Sequence, residues 1–170
     1  MIGSLFTVPL LRLTCSDFKN KRKKIERVLE AYPERRNSNF YSNRGLSNKN
    51  LIEEFTQIFK NEFSFITKAF DKSIKVNDVW SVTYGKGDYH VPHNHGSTGY
   101  AGIIYLELPK RAPKTIYIQP WNDNKDNTVL EEIDVSAGNI VIVPKFVMHF
   151  TRPSPSKLLK RIVSFDFETQ

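Results

Sequence analysis

The chain has 170 residues and a formal net charge of +7, from 25 lysines and arginines against 18 aspartates and glutamates. This length suffices for one domain with a sizeable core, and no apolar run is long enough to cross a membrane. The N-terminus lacks the pattern of a secretory signal, and the single cysteine, Cys15, cannot form an internal disulfide. Both features predict a cytoplasmic protein.

The excess positive charge is confined to the first half of the chain. Residues 1–75 contain 15 basic and 8 acidic side chains, whereas residues 76–170 contain 10 of each. The densest basic run extends from Lys19 to Lys24 and is compatible with an acidic or nucleic-acid partner. A solvated helix face is the simpler interpretation, because no aromatic residues alternate with the basic ones.

The first predicted elements are a strand and a helix. Phe6–Leu13 is typical of a short strand, and Pro9 places it at a sheet edge or a bulge. Ser16 is the predicted N-cap of a helix that runs to about Tyr32, where Pro33 ends it. The apolar residues of this segment fall on one helical stripe, so that face should be buried.

A polar loop and a second helix follow. Residues 34–48 are rich in Asn, Ser and Arg and are predicted to form a loop. Asn50 and Glu53 resemble a capping box that opens a helix to about Phe70. Residues 1–75 would therefore supply one strand and helical support to the rest of the domain.

From Val76 onward the apolar residues follow a period of two, which is typical of strands. Short strands at this spacing predict a mainly β fold, either a sandwich or a jelly roll, braced on one face by the helices. We expect a single domain over residues 1–170, with a β core over 76–170. The predicted strands are Val79–Tyr84, Gly102–Leu108, Thr115–Gln119, Glu131–Val135, Asn139–Val143, His149–Arg152 and Leu159–Phe167.

Three histidines form the most informative pattern. His93 and His95 are two residues apart, and on an extended backbone such side chains point to the same side. His149 opens a strand after an apolar run and can supply a third ligand from a distant part of the chain. Three protein ligands would leave open positions for chemistry. We expect His90, the fourth histidine, to lie behind the ligands or at the surface.

Arg161 is the second candidate functional residue. Strand alternation places it on the same face as Val163, Phe165 and Phe167, so it should point inward. A buried guanidinium requires an anion, and a carboxylate matches its fork of N–H groups. That anion is either an internal Asp or Glu from elsewhere in the chain or the carboxylate of a ligand.

Two stretches around the histidine pair carry a resemblance to a known family. Trp80–His95 is similar to the Trp, Tyr and Gly run before the ligand pair of Fe(II)- and 2-oxoglutarate-dependent dioxygenases, in the prolyl-4-hydroxylase-like branch that includes small phage and marine bacterial oxygenases. Gly99–Leu106 resembles that branch's strand ending in Tyr-Leu, and Leu5–Pro9 resembles its first strand. The resemblance covers residues 76–167 well and the helical half loosely.

This resemblance implies a double-stranded β-helix, which is a cupin-like jelly roll, with about two supporting helices. It implies that His93, His95 and His149 hold Fe(II) and form the catalytic centre. It also implies an oxygenase that consumes O2 and couples decarboxylation of 2-oxoglutarate to hydroxylation of a substrate. A phage-encoded protein of this kind would act in the host cytoplasm.

The resemblance further implies how 2-oxoglutarate is held. Its C5 carboxylate should pair with Arg161, and a hydroxyl from Tyr84 or Tyr105 should assist. For both tyrosines a purely packed aromatic ring is an equal alternative. The protein supplies geometry and excludes water, while the metal and the cosubstrate supply the oxidising chemistry.

The ligand set departs from the family pattern at His95, where a carboxylate is usual. Two histidines and one carboxylate place one negative charge on the metal, whereas three neutral imidazoles place none. The change should affect metal preference and redox behaviour without preventing 2-oxoglutarate from binding. Asp88 is a reserve carboxylate if His95 does not bind the metal.

The substrate is not determined by these patterns, and a protein side chain, a free amino acid or a nucleobase are all open. Two polar segments, 34–48 and 119–128, are candidate lids over the metal. Two other classes also remain open. One is a three-histidine cupin-type dioxygenase that uses no 2-oxoglutarate; the other is a non-catalytic binding protein, in which Arg161 should be paired internally.

Overall fold

The computed structural model describes residues 7–155 and 157–170, so Leu5 and Phe6 of the predicted first strand lie outside the described residues. Three helices and eleven strands are found within the described ranges. None of these helices has both the length and the apolar character needed to cross a membrane. The helices are α1 (Phe18–Leu29), α2 (Lys49–Ile58) and α3 (Lys60–Phe70).

The strands form two antiparallel sheets. The larger has seven strands in the order β1-β9-β6-β11-β4-β3-β2, and the smaller has four in the order β5-β10-β7-β8. The strands are β1 (Leu11–Thr14), β2 (Arg35–Arg36), β3 (Tyr41–Ser42), β4 (Ile74–Tyr84), β5 (His90–His93), β6 (Tyr100–Glu107), β7 (Thr115–Asn122), β8 (Thr128–Glu132), β9 (Asn139–Pro144), β10 (His149–Thr151) and β11 (Lys160–Thr169).

The larger sheet is buried on both faces. In β9, Ile140 and Ile142 belong to the core shared with the helices, whereas Val141 and Val143 belong to the core between the sheets. This explains the unbroken apolar run in that strand, since a strand covered on both faces needs no polar side. The predicted mainly β jelly roll with N-terminal helical support is confirmed.

The helices pack on the outer face of the larger sheet through aromatic side chains. Phe165 of β11 contacts Phe55 of α2 and Phe63 of α3, with ring centroids 5.3 Å and 5.5 Å away. The Phe165 ring lies against Gly102 of β6, where an added Cβ would come within 2.1 Å of a ring carbon. Gly102 is thus required by close packing between neighbouring strands.

The helix boundaries differ in detail from the prediction. The N-cap of α2 is Asn48, whose side chain accepts a hydrogen bond from the Leu51 N–H at 3.0 Å, and not Asn50. The predicted single helix to Phe70 is divided at Phe59, where the backbone leaves helical values. The backbone N–H and Oγ of Ser16 donate to Glu62 of α3, so this residue links α1 to α3 and does not cap α1.

The strand predictions are correct in existence for all seven predicted runs of the β core, with shifted ends. The largest shift is in β4, which begins at Ile74 where the prediction began at Val79, and β8 ends at Glu132 where the prediction continued to Val135. The first strand begins only at Leu11, after Pro9. Three short strands were not predicted. They are β2 and β3, which form a hairpin within the expected loop, and β5, which carries the first histidines.

Candidate metal centre

A bulge in β5 brings two histidines to one side of the sheet. His149 of β10 is opposite His93, and Thr151 is opposite His90, so two steps along β10 match three along β5. Regular alternation would place His90 and His93 on opposite faces, but the extra residue turns both side chains into the same pocket. The bulge is therefore part of how the site is built.

The three predicted ligands form one cluster at the opening between the sheets. One ring nitrogen each from His93, His95 and His149 lies within 4.8 Å of the other two. The ring centroids of His93 and His149 are 4.4 Å apart, and those of His95 and His149 are 5.1 Å apart. No other cluster of three metal-binding side chains occurs among the described residues.

Each of these imidazoles is oriented by an oxygen on its Nδ1 side. Such a partner fixes the tautomer and leaves Nε2 with its lone pair directed at the cluster, as in most histidine metal sites. Three neutral Nε2 donors fit a divalent first-row metal such as Fe(II). The Nδ1 to oxygen distances are 2.9 Å from His93 to the Val91 carbonyl, 3.0 Å from His149 to the Val147 carbonyl, and 2.7 Å from His95 to Asp166 Oδ1.

Burial favours the neutral form of two of these rings, His93 and His149. It lowers the pKa of His149 to about 3, and the neighbouring His93 adds to the shift. Burial also lowers the pKa of His93. A neutral imidazole is the form that binds a metal, so these two side chains are ready to do so at neutral pH.

Asp166 of β11 supplies the negative charge that the ligand set lacks. Its Oδ1 accepts the hydrogen bond from His95, and its Oδ2 is 3.7 Å from the Lys145 ammonium. The His95 and Asp166 side chains are 3% and 10% exposed, so water screens their interaction weakly. A carboxylate therefore stands one side chain behind the histidine cluster, next to the imidazole at which the family resemblance would lead one to expect a carboxylate.

His90 lies beside the cluster and contacts it closely. Its ring stacks on His93 at a centroid distance of 3.8 Å and contacts the tilted ring of Phe40 at 4.3 Å. Its Nδ1 is 3.3 Å from the Tyr84 hydroxyl, and burial lowers its pKa to about 3. It thus packs against a predicted ligand, which agrees with the expectation that it lies behind the ligands.

The two faces of β11 carry two different cations. The structure places Arg161 on the helix side of the larger sheet, where its Nη1 donates to Glu26 of α1 at 2.8 Å. The pocket that His93, His95 and His149 line is called the metal pocket below. Arg161 does not line it, whereas Ile162 and Ser164 do. The predicted alternation of Arg161, Val163 and Phe165 is correct, but that inward face packs against helices. The apolar character of this face of β11 could not show which side of the larger sheet it is on, because both sides of that sheet are buried.

Lys160 is the cation on the metal side, and sequence reasoning missed it. Its side chain is fully buried, with Nζ donating to the Pro113 carbonyl at 2.9 Å and to Thr151 Oγ1 at 3.3 Å. No acidic side chain among residues 7–155 and 157–170 forms an ion pair with it. Burial lowers its pKa to about 7. A buried ammonium without a counterion is a strong candidate to bind an anionic ligand.

The two predicted tyrosines have different positions. Tyr84 lines the metal pocket, and the Lys160 ammonium is 5.0 Å from the centroid of its ring. Tyr105 is buried in the core between the sheets, where its hydroxyl donates to Thr115 Oγ1 at 3.0 Å. Tyr84 is therefore next to the buried cation, whereas Tyr105 reaches the pocket only through Thr115.

The two candidate lids also separate. Segment 34–48 borders the histidines through Phe40, whose ring packs against His90, and through Arg44, which lines the metal pocket. Segment 119–128 does not line that pocket; its Trp121 instead borders an apolar groove next to Leu10. Asp88, the reserve carboxylate, accepts from Arg36 at 2.8 Å and from the Gly85 N–H, so it is already used away from the cluster.

Residues of the basic run and Cys15 have structural roles. Lys21 is buried and forms a 2.6 Å ion pair with Glu62, and Arg22 pairs with Glu26 and Glu107. The remaining lysines of the run are exposed on α1.

Burial raises the pKa of the Cys15 thiol to about 12, so the thiol is protonated and unsuited to nucleophilic attack.

Comparison with known proteins gives the same class. The model of a family described as "Putative 2OG-Fe(II) oxygenase" matches residues 78–166, which include all three histidines, Asp166 and both cations of β11. This chain therefore belongs to that family of 2-oxoglutarate- and Fe(II)-dependent oxygenases, which use Fe(II), 2-oxoglutarate and O2. No curated protein sequence matches the chain.

Solved structures with the same fold include enzymes of this class. HygX from Streptomyces hygroscopicus with nickel, 2-oxoglutarate and hygromycin B is 10% identical, with a TM-score of 0.70 over 95% of this chain and 83% of that one. A Pseudomonas putida prolyl-4-hydroxylase is 12% identical, with a TM-score of 0.58 over 96% and 94%. A Trichoplax adhaerens prolyl hydroxylase with a hypoxia-inducible-factor peptide is 9% identical, with a TM-score of 0.63 over 94% and 83%.

Proposed function

We propose that the chain is a hydroxylase in which His93, His95 and His149 hold Fe(II) and Lys160, in place of Arg161, binds the C5 carboxylate of 2-oxoglutarate. The observation that carries this proposal is the buried, unpaired ammonium of Lys160 on the same side of β11 as the histidine cluster. A dicarboxylic cosubstrate has a carboxylate at each end, and Lys160 lies directly behind Thr151 and Tyr84, which line the pocket that contains the three histidines.

The side chains near Lys160 suit a carboxylate. Thr151 Oγ1 is already within hydrogen-bonding distance of the ammonium, and Tyr84 lies across from it. A carboxylate bound there would accept from Lys160 and from these hydroxyls, so a buried charge would gain both a counterion and hydrogen bonds. We keep Tyr84 as a candidate contact for this carboxylate, and Tyr105 as a support that orients Thr115.

The chain's own residues would hold, orient and shield the reacting groups. When bound, Fe(II) and 2-oxoglutarate supply the oxidising chemistry, in which the keto acid and O2 give succinate and CO2 while a substrate C–H becomes C–OH. His95 and Asp166 would keep one face of the metal site electron-rich. His90, Trp80 and Phe40 would exclude water from the opening around it.

Two alternatives are outcomes of the same test. A cupin-type dioxygenase with three histidines would bind its substrate directly to iron and use no 2-oxoglutarate, and the all-histidine ligand set favours it. The internal pairing of Arg161 with Glu26 matches the expectation for a non-catalytic binding protein. That pairing does not argue against 2-oxoglutarate binding, because Lys160 offers a second cation where the cosubstrate would lie.

The deciding experiment is anaerobic. Fe(II) is added to the metal-free protein, 2-oxoglutarate is titrated, and the visible charge-transfer band of a keto acid chelated to iron is recorded. We expect the band in wild type and its loss at the same 2-oxoglutarate concentration in Lys160→Met. Iron binding without the band would support the three-histidine dioxygenase, and absence of iron binding would support the non-catalytic protein.

Three broader assignments are also proposals. One hydrophobic core joins the helices to β4, β6, β9 and β11, which supports a single domain over residues 1–170. The single buried thiol of Cys15 supports a reducing compartment such as the cytoplasm. The exposed lysines of α1 leave an acidic or nucleic-acid partner open as a secondary role.

A further inference from the structure

A second cleft adjoins the metal pocket, where the β2–β3 hairpin at the edge of the larger sheet meets Trp80 of β4 and His90 of β5. Its volume is about 280 Å³, near the lower end of the roughly 300–1,000 Å³ of small-molecule sites. Arg44, Trp80 and His90 line both this cleft and the metal pocket. The remaining lining residues are Arg35, Arg36, Asn37, Phe40 and Ser42.

The cleft contains three arginines and no acidic side chain among its lining residues. Arg36 is neutralised by Asp88, with a nitrogen to oxygen distance of 2.8 Å. Arg35 and Arg44 form no ion pair with any acidic side chain of the described residues. Two guanidinium groups in one concave surface therefore lack a counterion, and each can donate two parallel hydrogen bonds to a carboxylate or phosphate.

The Arg44 guanidinium is held in place by stacking. Its Cζ is 4.9 Å from the centroid of the Trp80 ring. Stacking uses the flat face of the guanidinium and leaves its edge N–H groups available.

The wall between the cleft and the histidine cluster is one side chain thick. Trp80 is 5.3 Å from His95 by ring centroids, and His90 stacks directly on His93. A small molecule whose anionic end lies at Arg35 and Arg44 would have its other end beside the metal position. Phe40, buried between the two regions, offers an apolar contact for the part in between.

We infer that this cleft binds the substrate of the oxygenase and that the substrate is a small molecule with a carboxylate or phosphate group held by Arg35 and Arg44. This inference rests on the proposed function, because it assumes that Lys160 and the metal take up 2-oxoglutarate. It narrows the substrate class to anions. It also assigns the substrate to Arg35 and Arg44 and the cosubstrate to Lys160. The overall positive charge of residues 1–75 favours approach of such a molecule.

The test uses the Fe(II) and 2-oxoglutarate complex under anaerobic conditions, with phenyl phosphate, phenylacetate and neutral benzyl alcohol as probes. Affinity is measured by calorimetry while the charge-transfer band is monitored in the same sample. We expect at least one anionic probe to bind about tenfold or more tightly than benzyl alcohol, with the band retained. The better of the two anions identifies the group as phosphate or carboxylate.

Matched variants locate the binding. Arg35→Gln and Arg44→Gln should each lower the affinity for the anionic probe about tenfold. Arg27→Gln removes the same charge from the exposed face of α1 and should leave that affinity unchanged. Retention of the band in each variant shows that it folds and binds cosubstrate. The inference is overturned if neither anion binds at millimolar concentration, if all three variants behave alike, or if the probe abolishes the band by displacing 2-oxoglutarate. Absence of the band before any probe is added would instead overturn the proposed function.

Discussion

The Nδ1 atom of His95 lies 2.7 Å from Oδ1 of Asp166, 71 positions further along the chain. This contact couples the first ligand segment to β11 and places a carboxylate behind an imidazole. In metal sites such partners raise ligand basicity and set ring orientation. On the proposed ligand set, it would let a site with three histidines resemble, in charge, a site with two histidines and a carboxylate.

Asp166→Asn tests this coupling. The amide can still accept the hydrogen bond but carries no charge, so we expect Fe(II) affinity to fall about 10- to 100-fold. Affinity is measured by competition with a chelator. Asp134→Asn, which removes an exposed carboxylate paired with Lys114, is the control and should leave it unchanged. Equal affinity in wild type and Asp166→Asn would show that the charge behind His95 does not reach the metal.

Two histidine variants distinguish a proposed metal ligand, His149, from His90, which only lies beside the cluster. His149→Ala removes a predicted ligand and should abolish iron retention after gel filtration. His90→Ala removes a ring that packs against His93 but is not part of the three-histidine cluster, so it should retain nearly full metal content. Metal analysis of both proteins decides the point. Full iron in His149→Ala, or complete loss in His90→Ala, would require a different ligand set.

Adjacent residues of β11 allow a matched test of cosubstrate binding. Lys160→Met should lower the affinity for 2-oxoglutarate at least tenfold, because the C5 carboxylate of the bound cosubstrate would lose its cation. Iron content should be unaffected. Arg161→Gln should leave 2-oxoglutarate affinity unchanged and cost at most about 1 kcal/mol of stability, since its pair with Glu26 is partly exposed. The reverse pattern would return the cosubstrate role to Arg161.

The affinity for 2-oxoglutarate should depend on pH through Lys160. Burial lowers the pKa of this ammonium to about 7 in the free protein, so the charged form that binds a carboxylate declines above that pH. The dissociation constant should be nearly constant below pH 7 and rise by about tenfold per unit well above it. Lys160→Arg, whose guanidinium stays charged, should give a flat profile. A flat wild-type profile would show that Lys160 is not the cosubstrate cation.

Gly102→Ala tests the packing that supports β11. The added Cβ would overlap the ring of Phe165, which cannot move without disturbing Phe55 and Phe63, so we expect a loss of about 1–3 kcal/mol in the free energy of unfolding. Gly85→Ala is the control, because its Cβ would meet only ordinary contacts at 3.5 Å or more. Denaturant unfolding of both variants measures the difference. Equal stabilities would indicate that the sheet relaxes around the methyl group.

Local sequence patterns predicted the class of fold and the three histidines that the structure brings together. Short apolar runs, most of them with a period of two, identified seven of the eight strands from β4 to β11, because each side chain's direction on a strand follows from its neighbours alone. The pair His93 and His95 was recognisable for the same reason. His149 was recognisable from the apolar strand and turn that precede it. These features depend on residues close together in the sequence.

Tertiary structure decided which side of β11 faces the metal and which side faces the helices. Alternation correctly separated Arg161 from Lys160 but could not assign a face to either, since the larger sheet is covered on both sides. The same is true of Asp166, whose partner His95 lies on a distant segment, and of His90, whose direction depends on a bulge in β5. The cation and the carboxylate of the site are set by contacts between segments far apart in the chain, and no local pattern contains that information.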